Sequence, residues 1–320
     1  MEKRLIHQVM PYHRIIHWQR AALKLKGDAL SSRVSIVIPV FNQWELTRKC
    51  IRSILDHTEE TSFKILIVDN HSDDRTEEML ARMVRENEAL ACIRTLRNYG
   101  YGPGCNIGAL TWPGEIIVFL NNDTEVAPGW LPPLVSPLEK DCDIGAIGPK
   151  LLYKNGSLQC GGVVFNPRSN IPYHIYEDFP GDHRAVNKPR FFAAYTGACL
   201  AVRAEDFFEL QGFDPIYSNG MEDIDFCLRM GERNKKILFN PASVIYHLKG
   251  QTAGRGNRVL QNRRIFVSRW KRRIVPDDHC YYAEDGFSVE AYYRPETGLP
   301  DKYARFRAKL ASSASGFQPF

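Results

Sequence analysis

Apolar residues in the first third of the chain come in short unbroken runs, separated by stretches with a helical period. Ser35-Ile36-Val37-Ile38-Pro39-Val40 reads as a buried strand interrupted near its end by proline. From Trp44 to His57 the apolar positions 46, 50, 51, 54 and 55 repeat at helical spacing. Phe63-Lys64-Ile65-Leu66-Ile67-Val68 is a second apolar strand and runs into Asp69-Asn70. After the polar turn Ser72–Thr76, a helix is expected from Glu77 to about Ala89. Cys92–Leu96 predicts a short strand, Asn106–Thr111 a helix entered from a glycine-rich loop, and Ile116–Leu120 a further strand. Strands alternating with helices predict an α/β fold with a doubly wound, mostly parallel sheet. Such sheets bind ligands outside the carboxyl ends of their strands. Here four strands end in Pro39–Asn42, Asp69–Asn70, Arg97–Asn98 and Asn121–Asp123, which gathers polar groups on one edge.

Beyond about residue 130 the alternation weakens. Gly161–Phe165 is expected to open a hairpin, residues 166–190 to form a long proline-interrupted loop, and Phe191–Val202 to resume strand character. Asp206–Gln211 and Asp223–Asn234 read as helices, and Ser243–Tyr246 as a strand ending at His247. The tail from Arg263 is basic and aromatic, with helical segments expected.

Composition narrows the class. Hydrophobic content of 44% and charged content of 25% are ordinary for a globular chain, and no run of eighteen apolar residues predicts a membrane span. Eight cysteines without a repeated short spacing suggest neither a zinc motif nor a disulfide framework. A cytoplasmic chain with reduced thiols is the expectation. The net charge of +5 hides an asymmetry. Residues 1–33 carry seven Lys/Arg against two acids, and residues 249–275 carry nine and no acid, whereas residues 34–248 hold 21 basic and 28 acidic groups. An acidic body with basic flanks suits contact with an anion: phospholipid head groups, a diphosphate or nucleic acid, or simply a solvated face.

Candidate chemistry centres on Ile117-Val118-Phe119-Leu120-Asn121-Asn122-Asp123, a buried run that delivers two amides and a carboxylate to the sheet edge. Asp123 could be a base, a metal ligand or a helix cap. The segment Asn98-Tyr99-Gly100-Tyr101-Gly102-Pro103-Gly104-Cys105-Asn106 is neither a Walker loop nor a dinucleotide fingerprint. It would allow close backbone approach to a flat ligand, or it is a Gly-Pro turn. Glu222, Asp223 and Asp225 precede an apolar helical run; they suit helix capping, and a carboxylate beside a second one also suits a general base. His247 ends a strand and becomes a metal ligand if an acid such as Asp123 lies near it, since imidazole with carboxylate suits a divalent cation.

Taken in order, Ser35–Asn42, Ile67-Val-Asp-Asn70, Asn98…Gly102…Asn106-Ile-Gly108, Leu120-Asn-Asn-Asp123-Thr, Thr196-Gly-Ala198, Gly212-Phe-Asp214 and Glu222-Asp223-Ile-Asp225 resemble the family 2 glycosyltransferases of GT-A fold, in the rhamnosyltransferase-like branch. The resemblance covers about residues 34 to 270. It implies a catalytic domain at 34–250, with a nucleotide-sugar half (34–125) and an acceptor or catalytic half (126–250), between a basic flank (1–33) and a C-terminal extension (251–320). It implies that Pro39, Phe41 and Asn42 line a nucleotide pocket and that Asp69 accepts a hydrogen bond from a pyrimidine. Asn98 and Asn106 would hold base or ribose, with Asn70, Gly102, Asn121 and Asn122 in the same nucleotide-sugar-binding set. Asn121-Asn122-Asp123 stands in the place of the family's Asp-x-Asp signature, so Asp123 would be the charged ligand. With His247 it would hold Mn²⁺ or Mg²⁺ against the diphosphate. Asp223 would be the catalytic base, with Glu222 positioning it or the acceptor.

The implied reaction is inverting transfer from a dTDP-sugar such as dTDP-rhamnose, or from a UDP-sugar, to a hydroxyl of a cell-surface glycan or lipid-linked acceptor. Basic residues such as Lys249 or Arg255 would help the cation stabilise the leaving-group charge, and the glycine-rich stretch Gly250–Gly256 would order over the donor as a lid. Two rivals remain. A sugar-phosphate nucleotidyltransferase would want a glycine-rich basic loop after the first strand, where this chain has Phe41-Asn42-Gln43-Trp44. A non-catalytic nucleotide-sugar or glycan-binding scaffold would tolerate loss of Asp123 or Asp223, and both are present. No nucleic-acid partner is expected. The basic flanks suit peripheral contact with the inner face of the cell membrane, or packing on the catalytic domain.

Overall fold

The computed structural model describes residues 33–59, 63–168, 170–248, 258–293 and 307–312. Strand β1 (Val34–Val40) is buried at every position, as a parallel strand covered on both faces must be. Helix α1 (Trp44–His57) follows and buries Trp44, Thr47, Cys50, Ile51 and Ile54 as one stripe against the sheet. Strand β2 (Phe63–Asp69), α2 (Thr76–Glu86), β3 (Leu90–Arg94), α3 (Tyr101–Thr111) and β4 (Ile116–Leu120) complete the alternating half. Then come β5 (Thr124–Val126), α4 (Pro132–Lys140), β6 (Ile144–Leu152), β7 (Leu158–Cys160), β8 (Val163–Phe165), β9 (Pro172–His174), β10 (Arg190–Phe192) and β11 (Cys199–Arg203). Helices α5 (Ala204–Glu209) and α6 (Glu222–Gly231) lead to β12 (Lys236–His247). The described chain continues as α7 (Val259–Trp270), α8 (Asp278–Glu284), β13 (Phe287–Tyr293) and β14 (Arg307–Ser312).

One mixed sheet runs in the order β10-β12-β6-β11-β4-β1-β2-β3, with β5 attached to β12 and β7 to β6. Strands β1 to β4 are mutually parallel, and β6 is parallel to β12. Strand β11 lies antiparallel to both β4 and β6. It follows that β1, β2, β3, β4, β6 and β12 all present their carboxyl ends to the same edge. The fold is the α/β, mostly parallel arrangement that the sequence pattern predicts.

Local corrections have physical causes. The glycine-rich segment is not a loop: α3 begins at Tyr101, so Gly102, Pro103 and Gly104 form its first turn. A Cβ on Gly104 would lie 2.8 Å from Asn70 Nδ2 and 3.2 Å from Pro39 Cβ, and one on Gly108 would run into Val37. These glycines let the helix lie close on β1 and β2, which tertiary packing rewards beyond their poor helix propensity. The expected strand Phe191–Val202 is two strands separated by the Thr196-Gly197-Ala198 turn. Strand β12 is three times longer than the segment Ser243–Tyr246, because a register break after Asn240 absorbs Pro241. The basic tail holds the β13–β14 hairpin as well as helices.

Candidate functional site

The carboxyl edge opens into a cleft of about 130 Å³. Pro39, Phe41, Asn70, Asn98, Asn121, Asn122, Asp123, Glu222 and Asp223 line it, so the structure brings nine of the expected residues together. Val40, Gly100, Tyr101, Thr196, Gly197, Ala198, Asn219 and Gly220 share the wall.

Asp123 and His247, 124 positions apart, meet through strand register. Strand β5 pairs with β12 so that Thr124 stands opposite His247, and the Leu248 amide donates to the Asp123 carbonyl at 2.9 Å. Asp123 Oδ1 then lies 3.1 Å from His247 Nε2. Asn121 Nδ2 sits 3.3 Å from the same nitrogen. On the other side of the ring, His247 Nδ1 is 2.5 Å from Gln159 Oε1. Both titratable groups are buried, at 8% and 3% exposure.

Asp223 and Glu222 open α6. Three consecutive residues with positive φ precede them: Asn219 (54°), Gly220 (149°) and Met221 (76°). Methionine in the left-handed region costs about 1 kcal/mol or more, a strain typical of functional turns. Asp223 Oδ2 accepts from the Gly197 amide at 2.7 Å, and Glu222 Oε2 accepts from the Gly220 amide at 2.5 Å. A Cβ on Gly197 would lie 3.2 Å from Asp223 Cβ and 3.0 Å from the Tyr101 hydroxyl, so the turn approaches Asp223 this closely only as glycine. Asp225 faces away from the cleft and is fully buried. It accepts from Tyr217, Arg229, Arg269 and the Trp270 indole, which ties α6 to α7. Burial alone raises its carboxyl, but the Trp270 N–H and the two guanidinium groups outweigh that and hold it below the usual carboxylate range.

Five expected residues are not on the wall. Asp69, 1% exposed, accepts from the Ser72 amide at 2.8 Å and pairs with Arg94. Asn42, in the left-handed region, bonds Asp73 through both side-chain atoms and joins the ends of β1 and β2. Asn106 clamps the Phe213 backbone with two hydrogen bonds of 2.8 and 2.9 Å. Gly102 packs against Phe213 and Glu222. His247 stands behind Asp123.

Residues 35–202 match the family model "Glycosyl transferase family 2", which is more than half of the 320-residue chain. The chain belongs to this family. Among curated proteins it is 28% identical over 262 residues to the uncharacterized protein y4gI of Sinorhizobium fredii, covering 80% of this chain and 28% of that protein. It is 29% identical over 224 residues to the O-antigen biosynthesis protein RfbC of Myxococcus xanthus, covering 67% of this chain and 17% of that one. The chain therefore spans less than a third of either relative. It is also 25% identical over 217 residues to the N-acetylglucosaminyl-diphospho-decaprenol L-rhamnosyltransferase of Mycobacterium tuberculosis, covering 61% of this chain and 70% of that enzyme. Two solved structures share the GT-A fold. They are GalNAc-T7 with UDP, GalNAc and Mn²⁺ (TM-score 0.63, 21% identity, 81% of this chain and 51% of that one) and a Pyrobaculum calidifontis mannosyltransferase with GDP-Man and Mn²⁺ (TM-score 0.56, 17% identity, 85% and 76%).

For this family 2 chain, the donor set at Asp123 and His247 fits a divalent cation. Two ligand atoms about 90° apart on an ion with bonds of about 2.1 Å lie about 3 Å from each other, and the same spacing serves an imidazolium–carboxylate hydrogen bond. Asn70 lines the same cleft. Its Nδ2 donates to the Gly100 carbonyl at 3.2 Å, which leaves a buried Oδ1 without a partner among the described residues. Sequence reasoning did not select Tyr101, Gly197 or Asn219 as site residues. Asn219 Oδ1 accepts from the Tyr101 amide at 2.8 Å and so caps α3, whose own cap position is Gly100. Its place three residues before Glu222, and the Thr196-Gly197-Ala198 turn, were the available signals. Lys249, Arg255 and Gly250–Gly256, like the flank 1–32, lie outside the described residues. No helix among the described residues is long and apolar enough to cross a membrane.

Proposed function

We propose that this chain is an inverting, metal-dependent glycosyltransferase acting on a nucleotide-diphosphate sugar. The observation that carries the reading is Asp123 on one cleft wall, backed by His247, with the Asp223 carboxylate on another. A divalent cation, Mn²⁺ or Mg²⁺, would offset the charge that grows on a diphosphate leaving group. The chain's own residues supply the rest. Asp123 and His247 would hold the ion, in keeping with the Mn²⁺ in both structural neighbours. Pro39, Phe41, Asn70 and Asn98 would receive the nucleoside, with the buried Asn70 Oδ1 turning to accept a base or ribose donor. Asn121 and Asn122 would meet ribose or diphosphate.

Asp223 would take the proton from the acceptor hydroxyl as it attacks the anomeric carbon from the face opposite the leaving group. That single displacement inverts the configuration, and no enzyme nucleophile is required. The two backbone amides at Gly197 and Ile224 fix the orientation of the Asp223 carboxylate. Residues 34–125 would hold the donor, and residues 126–250 the acceptor and the base. A dTDP-sugar such as dTDP-rhamnose, or a UDP-sugar, is the proposed donor, and a cell-surface glycan or lipid-linked hydroxyl the acceptor. The mycobacterial rhamnosyltransferase and the O-antigen protein support that choice. With such an acceptor, the chain would work from the cytoplasm at the inner membrane face.

Asp223→Asn should lower transfer at least 10³-fold while donor affinity, read by calorimetry, stays within about threefold. Full turnover in this variant would remove the base from Asp223 and refute the mechanism.

A further inference from the structure

We propose that Gln159 is a positioning residue that locks His247 as its Nδ1–H tautomer and thereby aims the Nε2 lone pair at Asp123. The inference rests on the metal reading of Asp123 and His247 given above. Gln159 belongs to none of the motifs that carry the family resemblance. It is 1% exposed and makes two bonds to the same histidine. Its Nε2 donates to the His247 carbonyl at 2.9 Å, and its Oε1 lies 2.5 Å from His247 Nδ1.

The first bond settles the direction of the second. A backbone carbonyl can only accept, so the amide nitrogen must be the atom beside it and the amide oxygen must face the ring. Oxygen in turn accepts, so the ring nitrogen opposite it carries the hydrogen. A neutral imidazole has one N–H, which leaves Nε2 as a lone pair. One neighbour fits that assignment outright, and a second fits it only with a cation between the two atoms. Asn121 Nδ2, a donor, sits 3.3 Å from Nε2, and Asp123 Oδ1 is 3.1 Å away. Lone pairs on a nitrogen and a carboxylate oxygen at that distance repel unless a cation lies between them.

Backbone geometry places the glutamine for this task. Strand β7 pairs with β6 so that Leu151 faces Cys160 and Leu152 faces Leu158, with a register shift between the two pairs. Gln159 is the extra residue of that bulge. Bulges redirect a side chain out of the regular alternation, and here the redirected chain reaches across β6 to the end of β12. Outer-shell groups of this kind typically govern metal affinity by 10–100-fold.

Two measurements decide it. Nitrogen-15 NMR of the histidine rings, taken without metal at a pH where His247 is neutral, should place its proton on Nδ1. In Gln159→Leu that preference should be lost. Mn²⁺ titration followed by electron paramagnetic resonance should show affinity 10–100-fold weaker in Gln159→Leu, and no further loss when the change is added to His247→Ala. Gln159→Glu, which keeps an acceptor toward Nδ1, should retain Mn²⁺ binding within a few fold, and it serves if the leucine variant does not fold. A proton on Nε2 in the wild type, or an equal loss in the His247→Ala background, overturns the assignment. A wild type that binds no Mn²⁺ but keeps the Nδ1 proton overturns the metal reading and leaves the tautomer lock standing.

Discussion

At the scale of single residues, the cleft wall holds one buried side chain, Asn70, whose hydrogen bonding is incomplete among the described residues. Asn70 is 3% exposed, yet one of its two polar atoms has a protein partner and the other has none among the described residues. Leaving a buried acceptor unpaired costs about 1–3 kcal/mol, a cost that a bound ligand can return. Replacing Asn70 by Leu should therefore weaken nucleotide binding by roughly tenfold or more while the melting temperature changes little. A variant that melts much lower with unchanged nucleotide affinity would make Asn70 a structural residue. Asp69 and Asn106 illustrate the opposite case. Asp69 was legible as a polar residue at a strand end and Asn106 as one where a glycine-rich segment enters a helix, but sequence cannot show whether such a side chain faces a ligand or a neighbouring loop. In the fold, Asp69 is committed to Arg94 and Ser72, and Asn106 to Phe213.

Elements were legible where the hydrophobic period was undiluted. The runs at β1, β2 and β4 and the helical stripe of α1 emerge nearly at their expected bounds, because each buries one continuous apolar surface. The start of α3 was hidden, since Gly-Pro-Gly reads as a turn and its helical state depends on contacts with Val37, Val68 and Asn70. Gly108→Ala tests that account. The added methyl would collide with Val37 and lie 3.0 Å from Val68 Cγ2, so a loss of about 1–3 kcal/mol in chemical denaturation is expected. A neutral or stabilising result, as helix propensity alone would give, would contradict it. The meeting of Asp123 with His247 was conditional in the sequence, because the three-residue β5 that sets the register carries too short a pattern to read.

At the scale of the molecule, the segment after β12 is fastened by buried polar bonds rather than by apolar area alone. Arg190 pairs with Asp285 at 2.5 Å, Tyr173 donates to Asp278 at 2.7 Å, and Phe165 N donates to Asp277 Oδ1 at 2.8 Å. Burial, with Asp278 adding to it, pushes the Asp277 carboxyl up to about 6. The folded chain thus holds a proton between about pH 4 and 6 that the unfolded chain has released, so this group lowers stability as pH rises through that window. Asp277→Asn keeps the acceptor for Phe165. It should melt like the wild type near pH 4 and above it at pH 7, and an unchanged pH profile would contradict the assignment.

The whole chain's central claim is that a GT-A cleft binds a nucleotide sugar through a cation held at Asp123 and His247. The most direct test is a calorimetric titration of UDP- and dTDP-sugars into wild type and Asp123→Ala, each with Mn²⁺ and with chelator. Binding that needs Mn²⁺ in the wild type and is lost in Asp123→Ala is the expected result. Equal affinity with and without metal, or full retention in Asp123→Ala, would contradict the account.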